Sequence, residues 1–294
     1  MEVTRTFDLL DRYEELFVKD DALCFKQKGE WIRYGTQQYI DHSFHFSCGL
    51  YESGFRKGDR IITVANNRPE WNIADMGMAM IGVVHVPVFT SLSASEYEHI
   101  IRDSGAGMVI VSDNKLFKKV SPALALAGMK DGLYTFDELE GAAHWMEFVE
   151  KGKKCSRETK EAVKMAKEAV TPEDIATLIY TSGTTGKPKG VMLSHKNLVS
   201  NFISAASVFK LRSIDKYLSI LPLCHVGGRM GNYQTQYSGS SIYYAEHMGA
   251  IAANMKEIKP DGFDAVPRVL EKFFDVIISL ICILISSNMC LLLL

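Results

Sequence analysis

Residues 180–190 read Tyr-Thr-Ser-Gly-Thr-Thr-Gly-Lys-Pro-Lys-Gly: three glycines, four Ser/Thr hydroxyls and two lysines within eleven positions. No packed core element is built this way. Glycine lets backbone N–H groups approach an anion, hydroxyls add short donors, and lysines add point charges. The chemistry such a stretch can do is to hold phosphate. It is not a Walker loop, because the Gly-x4-Gly-Lys-Ser/Thr spacing is missing and Pro188 would break a helix starting there. A P-loop kinase or ATPase is excluded on that ground.

The loop must be held by the runs that flank it, the β-rich Ile175 to Ile179 before and Val191-Met192-Leu193 after. Upstream, apolar strands and amphipathic helices alternate. The pattern predicts a helix over 4–18, a hairpin about Gly29, a helix capped by Thr36 and ended by Gly54, and a strand over 61–65. A helix opening at Pro69 follows, then a strand over 83–89, a helix from Ser93 to Gly105 and a strand over 108–111. Strands without polar alternation, separated by such helices, indicate an α/β fold: parallel sheets covered by helices, with ligands at the carboxyl ends of the strands. Residues 114–169 read as helix-rich, with one charged, exposed amphipathic helix over 151–169. Thr171-Pro172-Glu173-Asp174 marks a boundary. Ser194 caps a helix over 195–209, and strands are expected over 217–221 and 241–245.

Composition narrows the partners. With 47% apolar and 23% charged residues, the chain reads as globular. A net charge of -2 and the absence of a basic tract argue against nucleic acid as a partner. Six scattered cysteines without C-x-x-C pairs suit a reducing compartment, and the acidic first twenty residues do not form a signal peptide. A cytoplasmic location is expected. His85, within an apolar strand, reads as a satisfied core histidine; His195 as a packing or loop-anchoring group; Trp71 as core. His225 by itself reads as a hydrogen-bonded histidine at a strand end.

The stretch Leu178-Ile179-Tyr180-Thr181-Ser182-Gly183-Thr184-Thr185-Gly186-Lys187-Pro188-Lys189-Gly190-Val191 resembles the signature of the AMP-forming adenylate synthetases. That superfamily includes acyl-CoA synthetases, luciferases and peptide-synthetase adenylation domains. Asn67 to Trp71 with Gly82 to Val88, Leu193 to Leu198, and Leu221 to Val226 are similar to further family segments. Val266 to Lys272 is similar to one frequent in long- and medium-chain acyl-CoA synthetases. The resemblance implies the N-terminal large lobe of the acyl-CoA synthetase-like fold, covering 1–274 as a partial adenylation domain. It implies ATP, Mg²⁺ and CoA as reaction partners, with a fatty acid or other carboxylate as substrate. On the family pattern, Thr181, Ser182, Thr184 and Thr185 supply hydroxyls, Gly183 and Gly186 supply backbone N–H groups, and Lys187 and Lys189 supply charge. Thr181 is the candidate metal contributor, and His225 lies at the mouth of the acyl pocket, near the carboxylate, as the candidate catalytic residue.

Several expected family parts are not found: an adenine-contacting segment, a Tyr-Gly-x-Thr-Glu-type stretch, a ribose-binding aspartate, a hinge and a lysine-bearing C-terminal domain. Residues 276–294 instead form a stretch of nineteen without Asp, Glu, Lys or Arg. As a helix it would be about 28 Å long, close to a bilayer's apolar thickness. A frameshift or read-through that replaced the native continuation is the preferred reading of this apolar tail, over a transmembrane anchor; membrane contact stays open. The leading function is ATP-dependent activation of a long-chain fatty acid to acyl-AMP and then acyl-CoA, with this chain an N-terminal part. The alternative is a truncated, inactive nucleotide-binding or interaction protein. The fatty-acyl preference rests on 221–226 and 266–272.

Overall fold

The computed structural model describes residues 2–129, 131–181, 187–267, 269–271 and 274. Five of the loop residues, Ser182 to Gly186, and the whole apolar tail lie outside this set. In chain order the elements are α1 (Asp8–Leu16), β1 (Leu23–Gln27), β2 (Glu30–Tyr34), α2 (Thr36–Glu52), β3 (Arg60–Val64), α3 (Pro69–Met80), β4 (Val84–Val88) and α4 (Ala94–Ser104). Next come β5 (Met108–Val111), α5 (Asn114–Leu126), β6 (Leu133–Thr135), β7 (Ala143–His144), α6 (Met146–Lys153), α7 (Arg157–Ala169), β8 (Ile175–Thr181) and β9 (Lys189–Ser194). The last are α8 (His195–Val208), β10 (Lys216–Ser219), α9 (Val226–Ser238), β11 (Ser241–Tyr244), α10 (Ile251–Ile258) and β12 (Gly262–Phe263).

The strands form two sheets, ordered β7-β6-β5-β3-β4-β8-β9 and β12-β10-β11-β1-β2. Both are parallel except at one edge, where β9 runs antiparallel to β8 and β2 antiparallel to β1. The expected α/β architecture of parallel, helix-covered sheets and the expected hairpin about Gly29 are both present, and β9 adds a second antiparallel edge strand.

Alternation along the buried strands sorts the layers. Ile61 faces a core between the sheets, whereas Ile62 and Val64 face an outer core with Tyr97 and Ile100 of α4 and Val120 of α5. Leu218, Ile220 and Tyr243 face a third cluster with Ile251 and Ile258 of α10. Between the sheets lies a helical layer. All twelve residues of α3 are buried, and the helix touches β4 of one sheet and β1 of the other. Pro69 stands at its first turn, where a missing N–H costs little.

The middle layer also holds α9, which packs Met230, Tyr233 and Tyr237 against the core and carries a buried polar face beside them. Its residues Arg229, Asn232, Tyr233 and Gln236, at i, i+3, i+4 and i+7, are all buried. They meet Asn72 and Asp75 of α3. Arg229 Nη2 donates to Asp75 Oδ1 at 2.5 Å, Nη1 to Thr177 Oγ1 of β8 at 2.7 Å, and Nε to the Tyr233 hydroxyl at 2.8 Å. Tyr233 donates to Asp75 Oδ2 at 2.5 Å. One turn on, Asn232 Nδ2 and Gln236 Nε2 donate to Asn72 Oδ1 at 2.6 and 3.0 Å. Asp75 and Arg229 are each 1% exposed. Burial opposes the Asp75 charge, but Arg229, His85 and Tyr233 outweigh it and hold the carboxyl below its ordinary value.

His85 completes this network as a satisfied core histidine. Its Nδ1 lies 2.7 Å from Asp75 Oδ1 and its Nε2 2.7 Å from Thr63 Oγ1. The ionised carboxylate can only accept, so Nδ1 carries the proton and Nε2 accepts from Thr63. His195 anchors the N-terminal segment: its Nδ1 accepts from the Thr6 backbone N at 3.2 Å, and its ring meets Phe7 edge-on.

Two expectations are corrected. The helix expected over 151–169 is two helices, because Ser156 turns its side chain to the Thr159 N–H and restarts the chain as α7. Thr36 is not the cap of α2. Gly35 is, and the Thr36 hydroxyl donates to Phe17 O and accepts from Lys19 N, tying α2 to the chain after α1.

Truncating either charge leaves the other buried and unpaired, so Arg229→Met or Asp75→Ala alone is expected to cost about 3–5 kcal/mol in urea unfolding. The double variant should cost less than the sum of the two. Burial pulls the His195 imidazole from 6.5 down to about 4. Between those values the unfolded chain binds a proton that the folded protein excludes. Stability therefore falls as pH drops through this window, by about 3 kcal/mol at pH 4. A His195→Gln variant compared by urea unfolding at pH 7 and pH 4 should lack this step.

Candidate functional site at the carboxyl ends of the strands

The carboxyl ends of β3, β4, β8 and β10 open on one side of the molecule, and the segments leaving them frame two neighbouring crevices. One, of about 360 Å³, is lined by Val88, Phe89, Leu92, Ile179, Thr181 and His225 among others. The second, of about 380 Å³, shares Phe89 and is bounded by Asn67, Thr90, Pro222, Cys224 and His247. The rings of Phe89 and His225 stand edge-to-face, 6.3 Å apart.

His225 owes its place to α9. It is the N-cap residue, and its Nδ1 accepts the Gly227 N–H at 3.1 Å. That bond leaves the proton of the neutral ring on Nε2, which is then free to donate to an oxygen anion. The helix enters close against the Leu221–Pro222 turn: a Cβ on Gly228 would lie 2.4 Å from the Pro222 carbonyl oxygen. Only glycine fits there. Four residues past His225 sits Arg229, whose guanidinium reaches Thr177, four residues before Thr181 on β8. A single buried side chain therefore links the helix that carries His225 to the strand that carries Thr181.

Asn67 is a site-building residue that local sequence reading assigns to the start of α3. The cap position belongs to Arg68, and Asn67 faces the other sheet. Its Nδ2 donates to Leu221 O at 2.7 Å and to Ser219 Oγ at 3.2 Å, and its Oδ1 accepts from Leu223 N at 3.0 Å. It fixes the segment that delivers His225 to the end of β3. The partners are more than 150 residues away, so no local signal could have found it.

Of the sequence-derived candidates, Thr181 and His225 line the same crevice. Thr181 is exposed at the end of β8, directly opposite Lys189 in the β8–β9 pairing. Lys187 and Lys189 are exposed, and neither forms an ion pair with another described residue. Ser182, Gly183, Thr184, Thr185 and Gly186 lie outside the described residues. Thr181 thus presents a hydroxyl to the crevice, with Lys189 beside it across the hairpin. No group of three or more His, Cys, Asp or Glu side chains among the described residues is arranged to hold a metal ion. No helix among the described residues is long and apolar enough to cross a membrane.

Residues 14–279 match the AMP-binding enzyme family. The chain is 30% identical over 264 residues to the long-chain-fatty-acid–CoA ligase ACSBG2 of Xenopus laevis, covering 85% of this chain and 35% of that protein. It is 29% identical over 269 residues to the human long-chain-fatty-acid–CoA ligase 1, covering 85% and 37%. The chain thus spans little more than a third of the length of these curated relatives. Among solved structures, a long-chain-fatty-acid-CoA ligase (FadD1) from Archaeoglobus fulgidus superposes with a TM-score of 0.77 at 22% identity, over 90% of this chain and 52% of that one. The N-terminal domain of FACL13 from Mycobacterium tuberculosis, crystallised with an inhibitor, gives 0.75 at 23% identity over 92% and 64%. With the family matched over most of its length and the fold shared with fatty-acyl ligases, the chain belongs to the AMP-binding enzymes.

Proposed function

We propose that this chain supplies the phosphate-holding and acid-positioning part of an ATP-dependent long-chain fatty acid activation. The observation that carries the reading is the shared crevice of Thr181 and His225, with Pro188 on its wall and Lys189 paired with Thr181 across the β8–β9 hairpin. In the first half-reaction, a fatty acid carboxylate oxygen bonds to the α-phosphorus of ATP. The bond from that phosphorus to the bridging oxygen breaks, releasing pyrophosphate and leaving acyl-AMP. The thiol of CoA then attacks the acyl carbon and expels AMP, giving the thioester.

The residues divide this work by charge. Hydroxyls of Thr181, Ser182, Thr184 and Thr185 and backbone N–H groups at Gly183 and Gly186 receive the phosphate oxygens. Lys187 and Lys189 oppose the negative charge that grows on the departing pyrophosphate. His225, through Nε2–H, holds the carboxylate against the α-phosphorus, which is an orienting role worth most when the two reactants are brought into line. Thr181 would offer one oxygen ligand to the Mg²⁺ that accompanies ATP, and the ion would offset phosphate charge.

The competing reading is a nucleotide-binding or interaction protein without turnover. Palmitate-dependent exchange of labelled pyrophosphate into ATP, together with Mg-ATP titration of the 294-residue chain, separates them. Exchange supports fatty acid activation, ATP binding without exchange supports the second reading, and no ATP binding eliminates both. In the active case, Lys187→Ala with Lys189→Ala should raise the KM for ATP about tenfold or more. His225→Ala should lower kcat by about tenfold or more while leaving ATP affinity near its starting value.

A further inference from the structure

Helix α4 crosses the outer face of the seven-stranded sheet beside the hairpin that carries the phosphate loop, and three of its side chains reach three rims of the crevice. Tyr97 donates its hydroxyl to Phe89 O at 2.9 Å, fixing the residue that faces His225. His99 Nε2 lies 2.9 Å from Pro188 O, and because a carbonyl only accepts, Nε2 carries the proton and donates. Asp103 Oδ2 accepts from the Tyr180 hydroxyl at 2.6 Å. His99 and Asp103 are one turn apart on the same face of the helix. One holds the outgoing stem of the phosphate loop at Pro188, and the other holds the incoming stem at Tyr180.

The helix is built to be a fixed reference. Ser93 and Glu96 close its start reciprocally, the Ser93 side chain accepting from Glu96 N and the Glu96 carboxylate accepting from Ser93 N at 2.7 Å. Its end is held by Arg60, which donates to Ser104 O at 2.7 Å and Gly105 O at 3.0 Å. Ile100 and Ile101 root it in the outer core. On the hairpin, Tyr180 is paired with Gly190, where a Cβ would stand 3.2 Å from the Tyr180 ring. The ring therefore lies over the returning strand, and holding Tyr180 holds both strands.

We propose that α4 clamps the two stems of the phosphate loop, with His99 and Asp103 as positioning residues for ATP. This rests on the nucleotide reading above and adds residues outside the loop that set its affinity. Neither side chain would touch ATP; each acts by fixing the stem from which the loop residues project.

The test uses the 294-residue chain and three measurements: Mg-ATP titration, palmitate titration and amide hydrogen exchange at Lys189 and Gly190. His99→Ala and Asp103→Ala should each weaken ATP about tenfold and speed exchange at these two amides, with palmitate affinity and melting temperature unchanged. His99→Gln and Asp103→Asn keep a donor and an acceptor at these positions, so they should restore both ATP affinity and protection. Equal loss of ATP and palmitate affinity with a lower melting temperature, or no rescue by the conservative variants, overturns the proposal. If the parent chain binds no ATP, the nucleotide reading fails on its own terms. Exchange at Lys189 and Gly190 then judges the clamp separately, and unchanged exchange in His99→Ala and Asp103→Ala refutes it.

Discussion

The fold depends on a charge pair in a place where charges are expensive. Asp75 and Arg229 sit between two sheets, and removing both from water costs several kcal/mol per ion before their attraction is counted. The cost is offset because their hydrogen-bonding capacity is used locally: Asp75 accepts from His85, Arg229 and Tyr233, and Arg229 donates to Asp75, Thr177 and Tyr233. Among the described residues, buried side-chain polar atoms without a partner occur on α2, at His42, Ser43 and His45, and not in this network. What the pair gives in return is register. The apolar contacts of α9 come from Met230, Tyr233 and Tyr237, and its other buried positions are glycines and polar groups. Three directed bonds from Arg229 and the amide contacts of Asn232 and Gln236 leave it one setting.

That setting decides the site. The N-terminus of α9 points His225 into the crevice, while Arg229 bonds the strand that ends in Thr181. Asn67 closes the arrangement from the other sheet by capturing three polar groups of 219–223. The groups proposed to meet the acid and the phosphates thus come from different sheets but share one buried polar layer. Surface loops alone would not hold a carboxylate and a phosphorus in line; loops rooted in such a layer can.

How much of this was legible in the sequence follows the physics of each segment. Helix α3 declared itself through Pro69, α4 through Ser93 and Gly105, and α8 through Ser194, because caps and breakers are local chemistry. Strands β3, β4, β5, β8 and β9 of the large sheet declared themselves as apolar runs, whereas the short β6 and β7 lie in a segment that read as helix-rich. Helix α9 did not, since the test for a buried helix is apolar periodicity and its buried face is Arg, Asn, Tyr and Gln. The break between α6 and α7 was hidden for the opposite reason: the charged pattern continues across it, and Ser156 is one polar residue among many. The phosphate loop was legible as chemistry from its glycines, hydroxyls and lysines alone. Its supports were not, because Asn67, Arg229 and Asp75 find partners more than 150 residues away.

The central claim is that one buried network sets both the helix bearing His225 and the strand bearing Thr181. Amide hydrogen exchange in the parent chain and in Arg229→Met, compared under conditions where both remain folded, tests it most directly. The account predicts that exchange accelerates together at 227–229 of α9 and at 178–181 of β8, with α10 and its sheet neighbours β10 and β11 unaffected. Acceleration confined to α9, with β8 as protected as before, would contradict it.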